Sequence, residues 1–551
     1  MTRVLLVILL HLALAAGVAT AQGHPFTVHD MLAMDRITDP QVSPDGRRVV
    51  FAVSVTDLEA NRRRSDLWLV QADGTGLRRL TSHEANDDHP RWAPDGRSVW
   101  FLSARSGSSQ VWRVSVDGGE AEQVTRLPID VDELLVSPDG DRLVVALEVF
   151  PGTGPAETRR RLDELEERQK RGPSGRIFDR LFVRHWDRWE DGRRSHLFVL
   201  PAAGGDPVDL MKDLDADAPT QPFGDAGEID FSPDGRAIVF TAKDAGREEA
   251  WSTDNDLYLV PLDASAPPRE LTADNRAWDT GPVFSPDGRT LAYRAMSEPG
   301  YEADRFRILL RAWPDGPTRE LAPGWDRSPD DLAWSPDGRT LLAVAENLGQ
   351  SSVFAIDVAS GRVRTVVERG TAGSPAWAGA RIVYALDDLK SPVELWSVRP
   401  DGKDPRPVTR LNASKVAAAR LGEPEPFTFT GAGGATVHGY VVKPVDFDPA
   451  KRYPVAFLIH GGPQGSFGNH FHYRWNPQTY AGAGYAAVMV DFHGSTGYGK
   501  AFTDAIQDDW GGKPLEDLQK GLAAALERHP WMDGERVAAL GASYGGYMVN
   551  W

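Results

Sequence analysis

One phrase constrains this chain more than any other. Ser-Pro-Asp-Gly, or a near copy, stands at Ser43–Gly46, Ala93–Gly96, Ser137–Gly140, Ser232–Gly235, Ser285–Gly288 and Ser335–Gly338. A β-rich run such as Val49-Val50-Phe51 or Ile238-Val239-Phe240 follows each copy. Proline presets the first turn position and Asp-Gly tolerates the left-handed one, so the phrase reads as a hairpin turn. An eroded seventh copy is Trp377-Ala378-Gly379-Ala380, ahead of Arg381-Ile382-Val383-Tyr384. A second hairpin alternates with the first, its strands beginning at Leu67-Trp68, Val111-Trp112, Leu197-Phe198, Leu257-Tyr258, Ile308-Leu309, Val353-Phe354 and Leu395-Trp396. Seven of each predict seven four-stranded units, mostly 43 to 53 residues apart, which is the period of a propeller blade. A single blade cannot bury both faces, so the units stack radially around a channel. A β-sandwich with recurrent turns does not repeat one phrase at a fixed period.

The third unit is too long. An insertion of about forty residues, placed at about 151–194, separates its two hairpins and exceeds ordinary loop lengths. It opens with a charged helical stretch, Glu157 to Lys170, polar on all sides. It continues through Phe182 to Asp191, where Trp186 and Trp189 interleave with Asp187 and Glu190. Long ordered insertions often carry function, but packing of the tryptophans against the blade is an equally good reading.

From Pro426 the texture changes. Phe427-Thr428-Phe429, a glycine turn at Gly431 to Gly434 and Thr436 to Val442 read as an antiparallel hairpin. Val455 to Ile459 is a buried strand running into His460-Gly461-Gly462-Pro463, and Ala486 to Val490 is another, ending in Asp491-Phe492-His493-Gly494-Ser495. A helix from Leu515 to Arg528 leads to Arg536-Val537-Ala538-Ala539-Leu540, predicted to be a short buried strand. Strand–helix alternation of this kind implies a mainly parallel sheet with helices on both faces. The last strand feeds Gly541-Ala542-Ser543-Tyr544-Gly545. That is the G-x-S-x-G pattern of a nucleophile elbow, a tight strand-to-helix turn that lifts one hydroxyl clear of the sheet.

Composition narrows the partners. A formal charge of −18 argues against nucleic acid and anionic membrane surfaces. The absence of cysteine excludes disulfides, thiolate metal sites and a lipidated cysteine. Arg3, the apolar run Val4 to Val18 and Ala19-Thr20-Ala21 before Gln22 read as an export signal with an A-x-A cleavage site. The run is short of the ~20 residues that a spanning helix needs. An uncleaved anchor is the alternative, and it differs by retaining the first residues.

The propeller turns, His460-Gly461-Gly462-Pro463, Asp491 to Gly499 and Gly541 to Met548 together resemble the prolyl oligopeptidase family of serine peptidases. Within it, Tyr473 to Gln478, Asp509 to Pro514 and Arg184 to Asp187 are similar to the dipeptidyl-peptidase 5 side of a branch shared with the acylaminoacyl-peptidases. The resemblance implies that Ser543 is the acylated nucleophile, with the backbone amides of Tyr544 and Gly462 as oxyanion donors. It implies no metal and no cofactor. In this fold the catalytic aspartate and histidine follow the serine, so they are expected beyond Trp551 and the given chain is expected to be inactive alone. His460 is read as shaping the oxyanion loop and His493 as a satisfied structural histidine.

The sequence-based expectation is therefore an all-β seven-bladed propeller followed by an incomplete α/β-hydrolase domain. Its divisions are a signal peptide at 1–21, an N-terminal segment at 22–36, the propeller at 37–412 and the hydrolase at 423–551. The expected activity is release of dipeptides from oligopeptides by an exported, periplasmic or secreted enzyme without stable membrane insertion. Such an enzyme must read a free α-amine, and Glu190 or Asp187, flanked by Trp186 and Trp189, are the candidate anchors. An acylaminoacyl-peptidase or oligopeptidase shares every motif. A carboxylesterase shares the elbow but has no use for a propeller, and a non-enzymatic envelope-binding propeller would not need Ser543.

Overall fold

Each Ser-Pro-Asp-Gly phrase closes its turn with side-chain bonds. In the computed structural model, which describes residues 23–173 and 175–551, Ser43 Oγ donates to Asp45 Oδ1 at 2.5 Å and accepts the Arg48 amide at 2.9 Å. Gly46, at φ 70°, returns its amide to the Ser43 carbonyl at 2.8 Å. The same serine-to-aspartate bond recurs from Ser137, Ser232, Ser285 and Ser335, and it holds each aspartate below its usual carboxylate range. Ala93 lacks the hydroxyl, and there only the Arg97 amide reaches Asp95. The leader expected at 1–21 lies outside the described residues.

The turns join four-stranded antiparallel sheets. The first comprises Arg36–Val42, Arg48–Asp57, Arg62–Gln71 and Arg78–Arg79. Five such sheets stand separately, and the last two are joined by a single parallel bridge, Ser351 to Thr371, into eight strands. Neighbouring sheets share apolar layers all the way round. Val50, Leu67 and Phe101 join the first sheet to the second. Val144, Leu197 and Phe240 join the third to the fourth. The ring closes where Ile37, Val49 and Phe51 of the first sheet meet Val383 and Leu395 of the last. Among the described residues no strand is exchanged at this seam; packing, two reciprocal bonds between Asp35 and Asn412, at 2.8 and 2.9 Å, and the Lys415–Asp35 ion pair at 2.6 Å hold it. Full burial of Phe51 alone contributes about 1.5–3 kcal/mol.

Inside the third blade, the insertion forms a helix, Pro155–Arg171, and a small hairpin, Arg184–His185 with Arg188–Trp189. The helix is laced with ion pairs such as Arg160–Glu157 and Arg161–Glu157, and most of it faces solvent.

The hydrolase sheet has the order Pro424–Thr430, Thr436–Val442, Ala486–Asp491, Tyr453–Ile459, Met532–Gly541. Its first three strands are antiparallel neighbours, and the last two pairings are parallel. The helix Lys513–Arg528 packs Leu518 and Ala525 into the core with Val488, Val490 and Phe427. One expectation fails here. Among the described residues the strand leading to the elbow is not buried: it is the outermost of the sheet, and Arg536, Ala538 and Ala539 are exposed. Its apolar composition was read as burial, whereas burial depends on which neighbours flank a strand.

The N-terminal segment belongs with the hydrolase. His24–Pro25 pairs in parallel with Ala419–Arg420, and Phe26, Met31 and Met34 pack with Phe471. Thr27 and Asp30 cap the short helix Val28–Ala33 reciprocally. The hydrolase is fastened to the fifth, sixth and seventh blades. Lys500 Nζ binds Asp304 at 2.6 Å and Glu298 at 3.0 Å, Gln350 Nε2 donates to Tyr440 Oη at 2.6 Å, and the Phe471 amide donates to Asp387 at 2.7 Å. Among the described residues no helix is long and apolar enough to cross a membrane.

Candidate active site

Ser543 sits at the top of the elbow with φ 55° and ψ −126°, a backbone conformation costly for a residue with a side chain. The surrounding glycines allow it. A Cβ on Gly541 would lie 2.5 Å from the Gly545 carbonyl, and one on Gly545 would lie 2.2 Å from the Ile459 carbonyl oxygen. The strand, the turn and the helix Tyr544–Asn550 therefore meet backbone to backbone. The serine is left exposed, and its hydroxyl has no hydrogen-bond partner among the described residues.

Across from it runs the His460-Gly461-Gly462-Pro463 turn. A Cβ on Gly461 would stand 3.1 Å from the Ala542 carbonyl oxygen and 3.3 Å from Ser543 Cβ, so this loop lies tight against the serine. Gly462 has φ 122°, which favours glycine for conformational reasons. Neither the Gly462 amide nor the Tyr544 amide is spent on another group among the described residues. Two free amides beside an exposed serine are what an oxyanion needs.

The two histidines near this loop are occupied elsewhere. His460 directs Nδ1 to the Gly461 carbonyl at 2.7 Å and Nε2 to Ser495 Oγ at 2.9 Å, and its ring stacks on Phe492. Burial lowers its pKa. His493 binds the buried Asp517 through Nδ1 and its own amide, with its ring stacked on Phe502. Neither is hydrogen-bonded to Ser543.

Beyond Pro463 the loop opens on a cavity of about 480 Å³, lined by Gln464, Gly465, Glu302, Phe306 and Lys500. Glu302 and Phe306 also line a second cavity of about 390 Å³, deeper within blades three to five. Glu190 reaches this second cavity beside Phe182, Arg194 and Trp278. Burial and the nearby Asp217 charge push the Glu190 carboxyl up. Two other carboxylates there are engaged, since Arg194 binds Glu249 with two bonds of 2.8 Å and Asp217 at 3.0 Å, whereas Glu302, which lines both cavities, is not. The Glu190 side chain has no such partner among the described residues.

The structure separates Glu190 from its sequence neighbours. Asp187 lies exposed at the hairpin tip and lines neither cavity, which removes it as an anchor. Trp186 and Trp189 also stay outside, 72% and 52% exposed, packed on Phe223 and Phe178. Trp186 and Asp187 form the turn of the hairpin, and Trp189 and Glu190, adjacent in sequence, point to opposite sides of the chain. Lys243, Glu249 and Glu302 were missed, because no local pattern marks residues that converge from separate blades, and Arg194, which opens the next strand of the same blade, was passed over with them.

The prolyl oligopeptidase family model matches residues 471–551, and that of the TolB β-propeller domain matches 33–149. A dipeptidyl-peptidase 5 of Porphyromonas gingivalis is 28% identical over 548 residues, covering 98% of this chain and 78% of its own. A dipeptidyl-peptidase 5 of Arthroderma otae is 30% identical over 568 residues, covering 98% and 77%. Among solved structures, the acylaminoacyl peptidase of Pyrococcus horikoshii superposes with a TM-score of 0.77 at 19% identity, over 96% of this chain and 76% of the other. That last likeness speaks for the fold alone.

Proposed function

Because the chain belongs to the prolyl oligopeptidase family, and is thus a serine-type peptidase acting on peptides, we propose that it is an exported exopeptidase releasing dipeptides from oligopeptide N-termini. The observation that carries the chemistry is the exposed, strained Ser543 facing two unspent amides. Ser543 Oγ attacks the scissile carbonyl while a general base takes its proton. The amides of Tyr544 and Gly462 receive the developing oxyanion, and each such donor is worth about 3 kcal/mol of transition-state stabilisation. Collapse of the intermediate expels the shortened peptide's amine, and water then releases the acyl dipeptide from Ser543.

The dipeptidyl reading rests on Glu190. Its unpartnered carboxylate lines a cavity continuous in its lining residues with the one beside Gln464. A carboxylate there receives the substrate's α-ammonium and sets how far the chain extends past Ser543. The names of the relatives support the same reading. The propeller ring bars folded proteins and admits short peptides. Export rests on the leader sequence, Arg3 through Ala21.

Incubating the full-length protein with free and N-acetylated peptides tests this directly. Dipeptides from the free peptides are expected, and Ser543→Ala should abolish both turnover and fluorophosphonate labelling. Release of N-acetylated single residues would make the enzyme an acylaminoacyl-peptidase instead. Undiminished turnover by Ser543→Ala would refute the serine mechanism. Mature protein beginning at Gln22 is expected on N-terminal sequencing, and retention of Met1 or Thr2 would point to an anchor.

A further inference from the structure

Six carboxyl groups line the cavity of about 390 Å³ that holds Glu190, against three basic side chains. Four of the six are satisfied from within. Arg194 takes Glu249 and Asp217, and Arg294 reaches Asp330 at 3.4 Å. Glu228 accepts the amide and hydroxyl of Thr220 at 2.7 and 2.8 Å. Lys243, the third base, directs Nζ to the Glu249 and Ser252 carbonyls at 3.1 and 3.3 Å, and feels Glu302 only through space. Among the described residues that leaves two carboxylates of the cavity, Glu190 and Glu302, with neither a side-chain hydrogen bond nor an ion pair. A peptide's α-ammonium satisfies one of them. The other is matched only by a second cation, and a peptide carries one on its side chains.

The two carboxylates stand at different places. Glu190 comes from the third-blade insertion, and the charges that act on it most are Asp217, Arg194, Glu249 and Asp191. Glu302 lies on the blade-five loop between Thr290–Ala295 and Arg307–Ala312. It also lines the cavity beside Gln464 and a third, of about 340 Å³, that reaches Trp251; Glu190 lines neither. Two carboxylates sharing one ammonium would crowd together at the same end of one cavity. Glu302 instead stands where the three cavities meet, on a propeller loop across from Gln464 of the hydrolase. Phe182 accompanies it in two of them and offers apolar surface to the methylene stem of a long basic side chain, whose charged end stays in water-accessible space.

We infer that Glu302 is a specificity residue that receives the basic side chain of the substrate's first residue, so that peptides beginning with lysine or arginine are favoured. The inference rests on the dipeptidyl reading, in which Glu190 takes the α-amine and Ser543 attacks the carbonyl of the second residue. That arrangement holds the first residue within the propeller, where Glu302 is, and lays the second against the hydrolase. Glu302 takes no part in the chemistry at Ser543; it selects which peptide is presented there.

The test separates a side-chain reader from a second amine anchor. Full-length enzyme is assayed with fluorogenic dipeptide amides that differ only in the first residue, lysine or norleucine, which shares lysine's carbon stem without its ammonium. Wild type is expected to prefer lysine about tenfold in kcat/KM, the modest return of a charged hydrogen bond to an exposed carboxylate. Glu302→Gln keeps the size of the side chain and should bring that ratio to within about twofold of unity. Glu302→Lys should reverse it, so that norleucine is preferred. A wild-type ratio near unity would overturn the inference. So would a Glu302→Gln variant that loses both substrates alike and keeps the ratio, since Glu302 would then hold the α-amine. If no Ser543-dependent dipeptide release is seen, or if Glu190→Gln handles free-amine substrates like wild type, the dipeptidyl reading itself fails; if both hold and the ratio ignores Glu302, only the role of Glu302 fails.

Discussion

A methyl group at Gly545 would sit 2.2 Å from the Ile459 carbonyl oxygen and 3.0 Å from that of His460. Both are backbone atoms, so no side chain can swing aside to make room. Reaching ordinary contact requires the helix Tyr544–Asn550 or the strand Tyr453–Ile459 to shift by about 1 Å. Overpacking of this kind costs typically 1–3 kcal/mol, and the unyielding neighbours place Gly545→Ala at the upper end. Ser543 lies two residues before the clash, and a misplacement of about 1 Å costs a reacting group about 10²-fold. Gly546→Ala is the control. Its Cβ would meet nothing closer than the Gly541 oxygen at 3.4 Å, an ordinary contact. Within a helix, alanine there gains about 1 kcal/mol of propensity over glycine. The two substitutions are chemically identical and one residue apart, yet they should diverge. In full-length protein, fluorophosphonate labelling of Gly545→Ala should slow about 10²-fold and its thermal transition should fall, while Gly546→Ala labels normally and melts no lower. Labelling of Gly545→Ala at the wild-type rate would refute the backbone-to-backbone account of the elbow.

Three further outcomes follow from the geometry. Glu190→Gln should raise KM for free-amine dipeptidyl substrates about 10- to 100-fold, the worth of a charged hydrogen bond, and leave simple ester hydrolysis unchanged, whereas Asp187→Asn behaves as wild type in both assays. Burial and Asp217 raise the Glu190 pKa, and the amine needs the ionised form, so this KM falls as pH rises through that ionisation and the Gln variant lacks the limb. Burial pushes Asp304 up, but Lys500 and the Ser297 amide overcome it and bring the carboxyl to about 2. Its contribution to stability is therefore complete above about pH 4 and lost as pH falls toward 2. Lys500→Met should destabilise by about 2 kcal/mol at pH 7 and flatten that acid limb, as read by thermal melts across pH. Ser232→Ala strips the Ala237 amide of a 2.9 Å partner and should cost about 1 kcal/mol, since the Ala93 turn keeps its backbone bonds without a hydroxyl.

What could be read from the sequence is what local chemistry determines. The propeller turns were legible because serine, aspartate and glycine each act on backbone two, three or five residues away. The elbow was legible because its glycines answer to atoms of the same turn and the adjoining strand. Exposure of Ala538 and Ala539 was not, because it depends on which strands lie beside Met532–Gly541 and not on the strand's own composition. Glu190 lines the second cavity and its sequence companions do not, for a related reason. Trp186, Asp187 and Trp189 adjoin it along the chain, whereas Lys243 and Glu302 line its cavity from other blades. The pairing of His24–Pro25 with Ala419–Arg420 spans almost four hundred residues, and no periodicity announces it.

That pairing sets the two crossings into the propeller about one strand spacing, ~4.8 Å, apart. Chain before the first crossing packs on Phe471, and chain after the second continues into the hydrolase hairpin. The propeller is thus spliced into the hydrolase as a loop tied at both ends, like a cartridge in a socket, and is not strung in front of it. Closing such a loop costs only about 0.6 kcal/mol more for each doubling of its length, so the socket is nearly indifferent to what it carries. A ring of different girth, or a third blade with a longer insertion, fits the same hydrolase provided its seam returns both ends to that pair of strands. The hydrolase and the propeller it carries are thereby free to diversify at separate rates.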